Sequence, residues 1–282
     1  MQLPENIPCN SWHEAIAHRT SRRKYRSVPI SPEESTSLED AINPLQDSLK
    51  SARIDLSREG FENVIWTVVG SYGVVTGAES YAVFIQDKSN DEFKSEVETG
   101  ILGEALILDA TAKDIDTCWV GGMFEEDEIL SRHELDENEE IAAITPLGRT
   151  KEKLTITEKL AKKFAGSHKR KPLNELCHDD YSDEDFHELP EWIFEAIKSA
   201  RLAPSAVNRQ PWRFHLMPEK NKIKLKSADL KKEHGVSPFL DCGIALLHLL
   251  AGARSALAES GDDKNVEYEL LSPPGVADIY LT

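Results

Sequence analysis

Two long apolar stretches constrain this chain more than any other feature. Residues 101–108 are almost unbroken in apolar character, and around them Phe93, Val97, Ile101, Ala105, Leu106 and Ala110 recur at helical spacing. Residues 239–257 form a second such stretch. A helix that is apolar on nearly every side needs cover on nearly every side, so each stretch predicts a buried helix at the centre of a packed unit. The order helix, strands, buried helix, strand occurs twice, which predicts an α+β protein with a duplicated plan. With 282 residues, 40% of them hydrophobic, the chain can build that core as one large domain or two small ones.

The flanking elements follow from local signals. Ser11 and Glu14 fit a capping box, opening a helix with Trp12, Ala15 and Ile16 that runs into Arg19. Ser31-Pro32-Glu33-Glu34 sets an N-cap, a first-turn proline and acidic residues in order, ahead of Leu38, Ala41, Ile42 and Leu45. Residues 64–69 and 81–85 read as strands around a glycine-punctuated turn, and residues 117–120 and 141–145 as further strands. Residues 151–190 read as a surface connector with a short helix at 156–164. Trp192, Ile193, Ala196, Ile197 and Ala200 mark an amphipathic helix that stops at Ala203-Pro204. Residues 212–216 and 223–226 read as a strand pair, and 266–271 as the closing strand.

The formal charge of −17 argues against a nucleic-acid partner, which needs a net basic face. Two basic islands, residues 19–26 and 162–171, stand out; each is either a local anion site or a solvated loop. Cys9, Cys118, Cys177 and Cys242 lie far apart with no zinc-type spacing, so reduced thiols and no structural metal are expected, with Cys118 and Cys242 as small core residues. The first residues lack an apolar signal core and no apolar run approaches the roughly 20 residues of a membrane span, so a cytoplasmic location and no membrane partner are expected. His248 reads as a helix histidine with no evident partner, and Trp66 and Tyr72 as core residues or as the border of a pocket.

Two short stretches carry the chemistry. Arg19-Thr20-Ser21-Arg22-Arg23-Lys24-Tyr25 ends the first helix. A phosphate monoester is a near-dianion best held by guanidinium forks and a hydroxyl, and Arg19, Ser21 and Arg23 supply them; a basic helix end that complements the macrodipole reads the same way. In Ala203-Pro204-Ser205-Ala206-Val207-Asn208-Arg209-Gln210-Pro211-Trp212, two prolines fix the backbone around Ser205, Asn208 and Gln210. Those three side chains donate and accept as a planar heterocycle with amide-like edges requires, which is more than a capped turn needs.

The first stretch resembles the opening Arg-x-Ser-x-Arg-x-aromatic motif of the nitroreductase family, and the second its Ala-Pro-Ser-x-x-Asn-x-Gln-Pro-Trp motif. Residues 103–106 with Thr117-Cys118-Trp119-Val120-Gly121-Gly122 resemble its central helix and the turn after it, and residues 168–173 its basic C-terminal segment. The resemblance implies an α+β nitroreductase-like fold binding FMN. By position, Arg19 and Ser21, flanking Thr20, would hold the FMN phosphate with help from Arg170, and Arg23 would lie near the pyrimidine edge of the flavin. Ser205 and Asn208, set between Pro204 and Gln210, would contact the flavin and its ribityl chain, while Trp119, Val120, Gly121 and Gly122 would line the remaining side.

The order of the motifs departs from the family's. Ordinary members place the Pro-Ser-x-x-Asn motif soon after the opening one, whereas here it appears only in the second half, which lacks the Arg-x-Ser motif and the Cys-Trp-Val-Gly-Gly turn. Each half therefore keeps what the other lacks. This division predicts half-domains at 1–175 and 176–282 forming a pseudo-dimer within a monomeric chain, with one FMN site. Asp114-Ile115-Asp116 replaces the family's Gly-x-Gly and adds two carboxylates that must point away from a phosphate. The implied reaction runs from NAD(P)H through flavin to a nitroaromatic, quinone or similar acceptor, with no catalytic side-chain nucleophile and with Arg23 stabilising charge on the reduced ring. The alternatives are a binder of FMN or another phosphorylated ligand without turnover, and a structural relic of the fold.

Overall fold

The computed structural model describes residues 1–65, 75–89, 91–122, 124–150, 169–178, 181–182 and 184–282. Helix α1 (Cys9–Ile16) buries Cys9, Trp12, Ala15 and Ile16, but it starts earlier than its sequence suggests, after Pro8 and without a side-chain cap, so the box expected at Ser11 does not form. Helix α2 (Pro32–Ser48) does begin with its reciprocal cap: Glu34 N donates to Ser31 Oγ (3.1 Å) and Ser31 N donates to the Glu34 carboxylate (2.7 Å).

Strand β1 (Ala52–Ser57), α3 (Phe61–Val64), β2 (Ser80–Asp87), α4 (Glu92–Ala112), α5 (Glu126–Leu130) and β3 (Glu139–Leu147) follow. The three strands form one antiparallel sheet in the order β1-β2-β3, with Ile54 opposite Phe84 and Val83 opposite Ile144. Strand β1 was not anticipated. The strand expected at 64–69 is corrected at its start, where Val64 ends α3 and Ile65 makes only an isolated bridge to Phe124; residues 66–69 lie outside the described residues. Residues 117–120 are no strand either, because Thr117 bridges Ser21 while Val120 bridges Ile144, so the segment is tied to two neighbours in turn.

The second part contains α6 (Leu173–Leu176), α7 (Glu191–Arg201), β4 (Trp212–Met217), β5 (Lys222–Ser227), α8 (Pro238–Ser260), β6 (Val266–Leu270) and β7 (Gly275–Leu281). Its antiparallel sheet has the order β4-β5-β7-β6. The expected closing strand is therefore the edge strand β6, and β7 inserts between it and β5. The chain's first residues extend this edge: Met1 N donates to Tyr268 O (2.6 Å), Tyr268 N donates to Met1 O (2.8 Å), and Gln2 bridges Glu267. The helix expected at 156–164 lies outside the described residues.

Helix α4 packs on the first sheet, α8 on the second, and the two helices on each other. Their crossing is set by two glycines. A Cβ on Gly243 would lie 2.1 Å from the Val97 carbonyl oxygen, and one on Gly100 would lie 2.2 Å from that of Leu240. Just before each glycine a buried carboxylate holds the chain that leaves an earlier helix. Glu98 Oε2 accepts from Lys50 N (3.1 Å) and Ser51 N (2.9 Å) after α2, and Asp241 Oδ1 accepts from Ala206 N (3.0 Å) after α7. Helix α8 is long and apolar enough to cross a membrane by length and composition, which corrects the expectation that no run approaches that size; 94% of its most apolar window is buried inside the protein.

Candidate functional site

Trp12 anchors α1 on α4 by donating its Nε1 to Asp109 Oδ1 (3.2 Å), and Arg19 N closes the turn after α1 on Ala15 O (2.8 Å). This carries the Arg19 side chain inward, where only 8% of it is exposed. Its Nε lies 3.8 Å from Glu104 Oε1 and has no hydrogen-bond partner among the described residues. Glu104 is fully buried on α4; its Oε2 accepts from Trp119 Nε1 (2.7 Å), and its Oε1 lies 2.9 Å from His248 Nε2 on α8. Trp119 is clamped further by Gly103, where a Cβ would sit 2.4 Å from the indole, and by the Phe84 ring at 4.5 Å.

Arg170 joins this cluster to the second half. Its Nη1 donates to Asn208 Oδ1 (2.9 Å) and its Nη2 to Leu202 O (3.1 Å). Burial pulls its pKa down to about 10, with the charges of Arg19 and Arg201 acting in the same direction and Glu104 opposing them. Arg19 and Arg170 thus share a buried region with Glu104.

The loop after α7 is held in a sparsely populated conformation, with φ of 48° at Val207, 56° at Asn208 and 50° at Gln210. Its own polar groups stabilise it. Ser205 Oγ accepts from Gln210 N (3.0 Å), Gln210 Oε1 accepts from Lys171 N (2.8 Å), and Asn208 Nδ2 and Gln210 Nε2 both donate to Lys169 O (2.9 and 3.1 Å). Arg209 clamps the loop to α8 by donating Nε to Asp241 Oδ2 (2.6 Å) and its Nη groups to the Lys231 and Val236 carbonyls (3.1 Å each). Burial pushes the Asp241 carboxyl up to about 6, against the pull of Arg209 and of the Ala206 N–H.

A family sequence profile described as "Putative TM nitroreductase" matches residues 12–253. The chain belongs to that nitroreductase family. Among solved structures, a putative nitroreductase from Thermotoga maritima is similar over 96% of this chain and 93% of its own, with 21% identity and a TM-score of 0.60, a likeness of fold. A nitroreductase with bound FMN from Desulfitobacterium hafniense aligns with 51% of this chain and 92% of its own, at 17% identity and a TM-score of 0.42. No curated protein matches.

Within this nitroreductase-family fold, Arg19, Trp119, Arg170, Asn208 and Gln210 are brought together, linked by Glu104 and by the Lys169–Lys171 backbone. Ser21 bridges Thr117, and Arg22 N donates to Thr117 O (2.9 Å), so the opening motif runs beside the Trp turn, with Thr20 half-buried at the junction. Arg23 O accepts from Thr76 N (2.8 Å). Val120 is buried on Ile144. Gly121 abuts Val236, where a Cβ would lie 2.3 Å from Cγ2, and Gly122 (φ 101°) faces the His234 carbonyl, so this turn also reaches the second half. Pro204 lies just past α7, which ends at Arg201 with Leu202 as its C-cap, and before the loop. The two carboxylates that replace the family glycines are accommodated: Asp116 accepts from Thr150 N (2.8 Å) and Oγ1 (2.5 Å), and Asp114, at φ 57°, is exposed.

Sequence reasoning missed Glu104, Arg209 and Asp241, and the expectation that His248 has no partner is corrected by its contacts to Glu104 and to Ser199 O. For Glu104, Asp241 and His248 the signal was a charged or polar side chain within an apolar stretch; Arg209 stood outside both stretches. Trp66 and Tyr72 lie outside the described residues. A separate cavity of about 460 Å³, lined by Glu5, Cys9, Arg254 and Lys264 among others, contains none of the expected site residues.

Proposed function

We propose that the chain binds one FMN across its two halves and acts as an oxidoreductase, passing reducing equivalents from NAD(P)H to a nitroaromatic, quinone or similar acceptor. The observation that carries the cofactor reading is the Arg19 guanidinium, buried with Nε lacking an acceptor among the described residues while Arg170 lies alongside it. A buried cation without a full partner is costly, and a phosphate dianion offers the oxygens that the Arg19 fork lacks, with the Arg170 charge beside it. The donor set therefore fits FMN. Arg19 and Arg170, with Ser21, would hold the phosphate; Asn208 and Ser205 would meet the ribityl chain and ring, with Thr20, Pro204 and Gln210 shaping those contacts. Trp119, Val120, Gly121 and Gly122 would line the other side, and Arg23 would face the pyrimidine edge and favour negative charge there.

When bound, FMN supplies the hydride chemistry, accepting from a reduced nicotinamide and giving to an acceptor. The protein's part is positioning and electrostatics. Half-domains at 1–175 and 176–282 would form a pseudo-dimer in a monomeric, cytoplasmic protein. The paired crossing glycines and the matching carboxylates Glu98 and Asp241 support that reading, as does the division of the two motifs between the halves. The test is the visible spectrum of the purified protein. A flavin band that bleaches with NADH or NADPH and recovers with a nitroaromatic or quinone is expected. A flavin band that no reduced nicotinamide bleaches would leave a binder without turnover, and a colourless protein that takes up no FMN would contradict both.

A further inference from the structure

Glu104 and His248 face each other just beyond the crossing of α4 and α8, and both are fully buried. Their hydrogen bonds fix a proton count. His248 Nδ1 lies 3.0 Å from the Ser199 carbonyl oxygen, which only accepts, so Nδ1 carries a proton. Nε2 lies 2.9 Å from Glu104 Oε1, and a nitrogen lone pair aimed at a carboxylate oxygen at that distance would repel, so a second proton lies between them. Whether that proton sits on the imidazole or on the carboxyl, the pair is neutral overall. Trp119 Nε1 satisfies the other Glu104 oxygen without changing the charge.

The consequence falls on Arg19, whose Nε is 3.8 Å from the same Glu104 oxygen. A bare carboxylate there would take Arg19 as its ion pair. We infer that His248 is a positioning residue which, by neutralising Glu104 from the second half of the chain, leaves the Arg19 guanidinium to a phosphate monoester. This rests on the reading of Arg19 and Arg170 as the phosphate site. The division of labour is specific: Glu104 holds Trp119 in the turn, and His248 prevents Glu104 from closing the anion site.

The test compares FMN affinity, by quenching of flavin fluorescence, and competition by inorganic phosphate for wild type, H248Q, E104Q and E104Q/H248Q. H248Q leaves an ionised Glu104 and should weaken both ligands at least tenfold. E104Q, whose amide oxygen still accepts from Trp119 Nε1, should bind both ligands at least about threefold more tightly than H248Q, and the double variant should recover to the same range, because no carboxylate remains to compete. A merely structural role for His248 predicts a double variant as weak as H248Q. That result, or an H248Q that binds like wild type, overturns the inference while leaving the FMN reading intact. A wild type that binds neither ligand overturns both. Nitrogen NMR of His248 in ligand-free wild type needs no variant to bind or fold well: a protonated Nδ1 is expected, and a bare Nδ1 would overturn the proton count.

Discussion

Gly243→Ala perturbs the close crossing of α4 and α8. The added Cβ would lie 2.1 Å from the Val97 carbonyl oxygen and 3.1 Å from the Gly100 Cα, whereas ordinary contact begins at 3.4 Å. Both obstacles are helical backbone, so relief requires α4 and α8 to move apart by about 1 Å, not a side-chain rotation. Overpacking of this kind costs about 1–3 kcal/mol, and the backbone obstacles place it at the upper end. Alanine's better helix propensity returns up to about 1 kcal/mol. A net loss of about 2 kcal/mol lowers Tm by roughly 3–4 °C in a chain of this size, which calorimetry resolves easily. The variant should also bind FMN more weakly, since the same separation lengthens the 2.9 Å contact between Glu104 and His248. A Tm unchanged or raised, as propensity alone would give, refutes the close crossing.

Three other outcomes are expected. Arg209→Met strands a buried Asp241 and should cost about 3–5 kcal/mol at pH 8 in urea unfolding. The Asp241 carboxyl is raised to about 6, so the stability it contributes is present below its unfolded pKa and lost as pH rises through 6. Without Arg209 that folded pKa moves higher still, so the variant's deficit should shrink towards pH 5.5, and a deficit equal at both pH values contradicts the pairing. Saturating FMN at 100 times its Kd should stabilise wild type by about 2.7 kcal/mol, and Arg170→Ala should lose most of that thermal shift at the same FMN concentration; an unchanged shift removes Arg170 from the site. Tyr81→Phe deletes the buried hydrogen bond to His133 Nε2 (3.0 Å) and should cost about 1 kcal/mol or more in chemical denaturation, an effect whose absence would show that the bond is not made.

What the sequence made legible was whatever depends on local periodicity. The central helices announced themselves because 101–108 and 239–257 are apolar on all sides, and α2 because its cap and proline act within one turn. Strand β1 escaped notice since Arg53 and Asp55 alternate with its apolar residues; they pair with each other (2.6 Å), and Glu139 and His133, far along the chain, complete their contacts. Strand β7 is similar: Asp278 looks wrong for a central strand until Lys222 and Lys224 are placed beside it on β5. The motif residues were legible as chemistry, but the group that organises them was not. Glu104 and His248 each appear as an isolated polar residue in an apolar run, and only the crossing of α4 and α8 makes them partners. The clamp between Arg209 and Asp241 was hidden in the same way, because one partner sits within a recognised motif and the other on a helix far along the chain.

The most direct measurement is the flavin content of the purified protein, with the ligand released by denaturation, identified by mass spectrometry and quantified by absorbance against chain concentration. The account predicts FMN at one per 31.6 kDa chain, after incubation with excess FMN if it is lost in purification. Two flavins per chain, a different ligand at that ratio, or no uptake of FMN at all would contradict it.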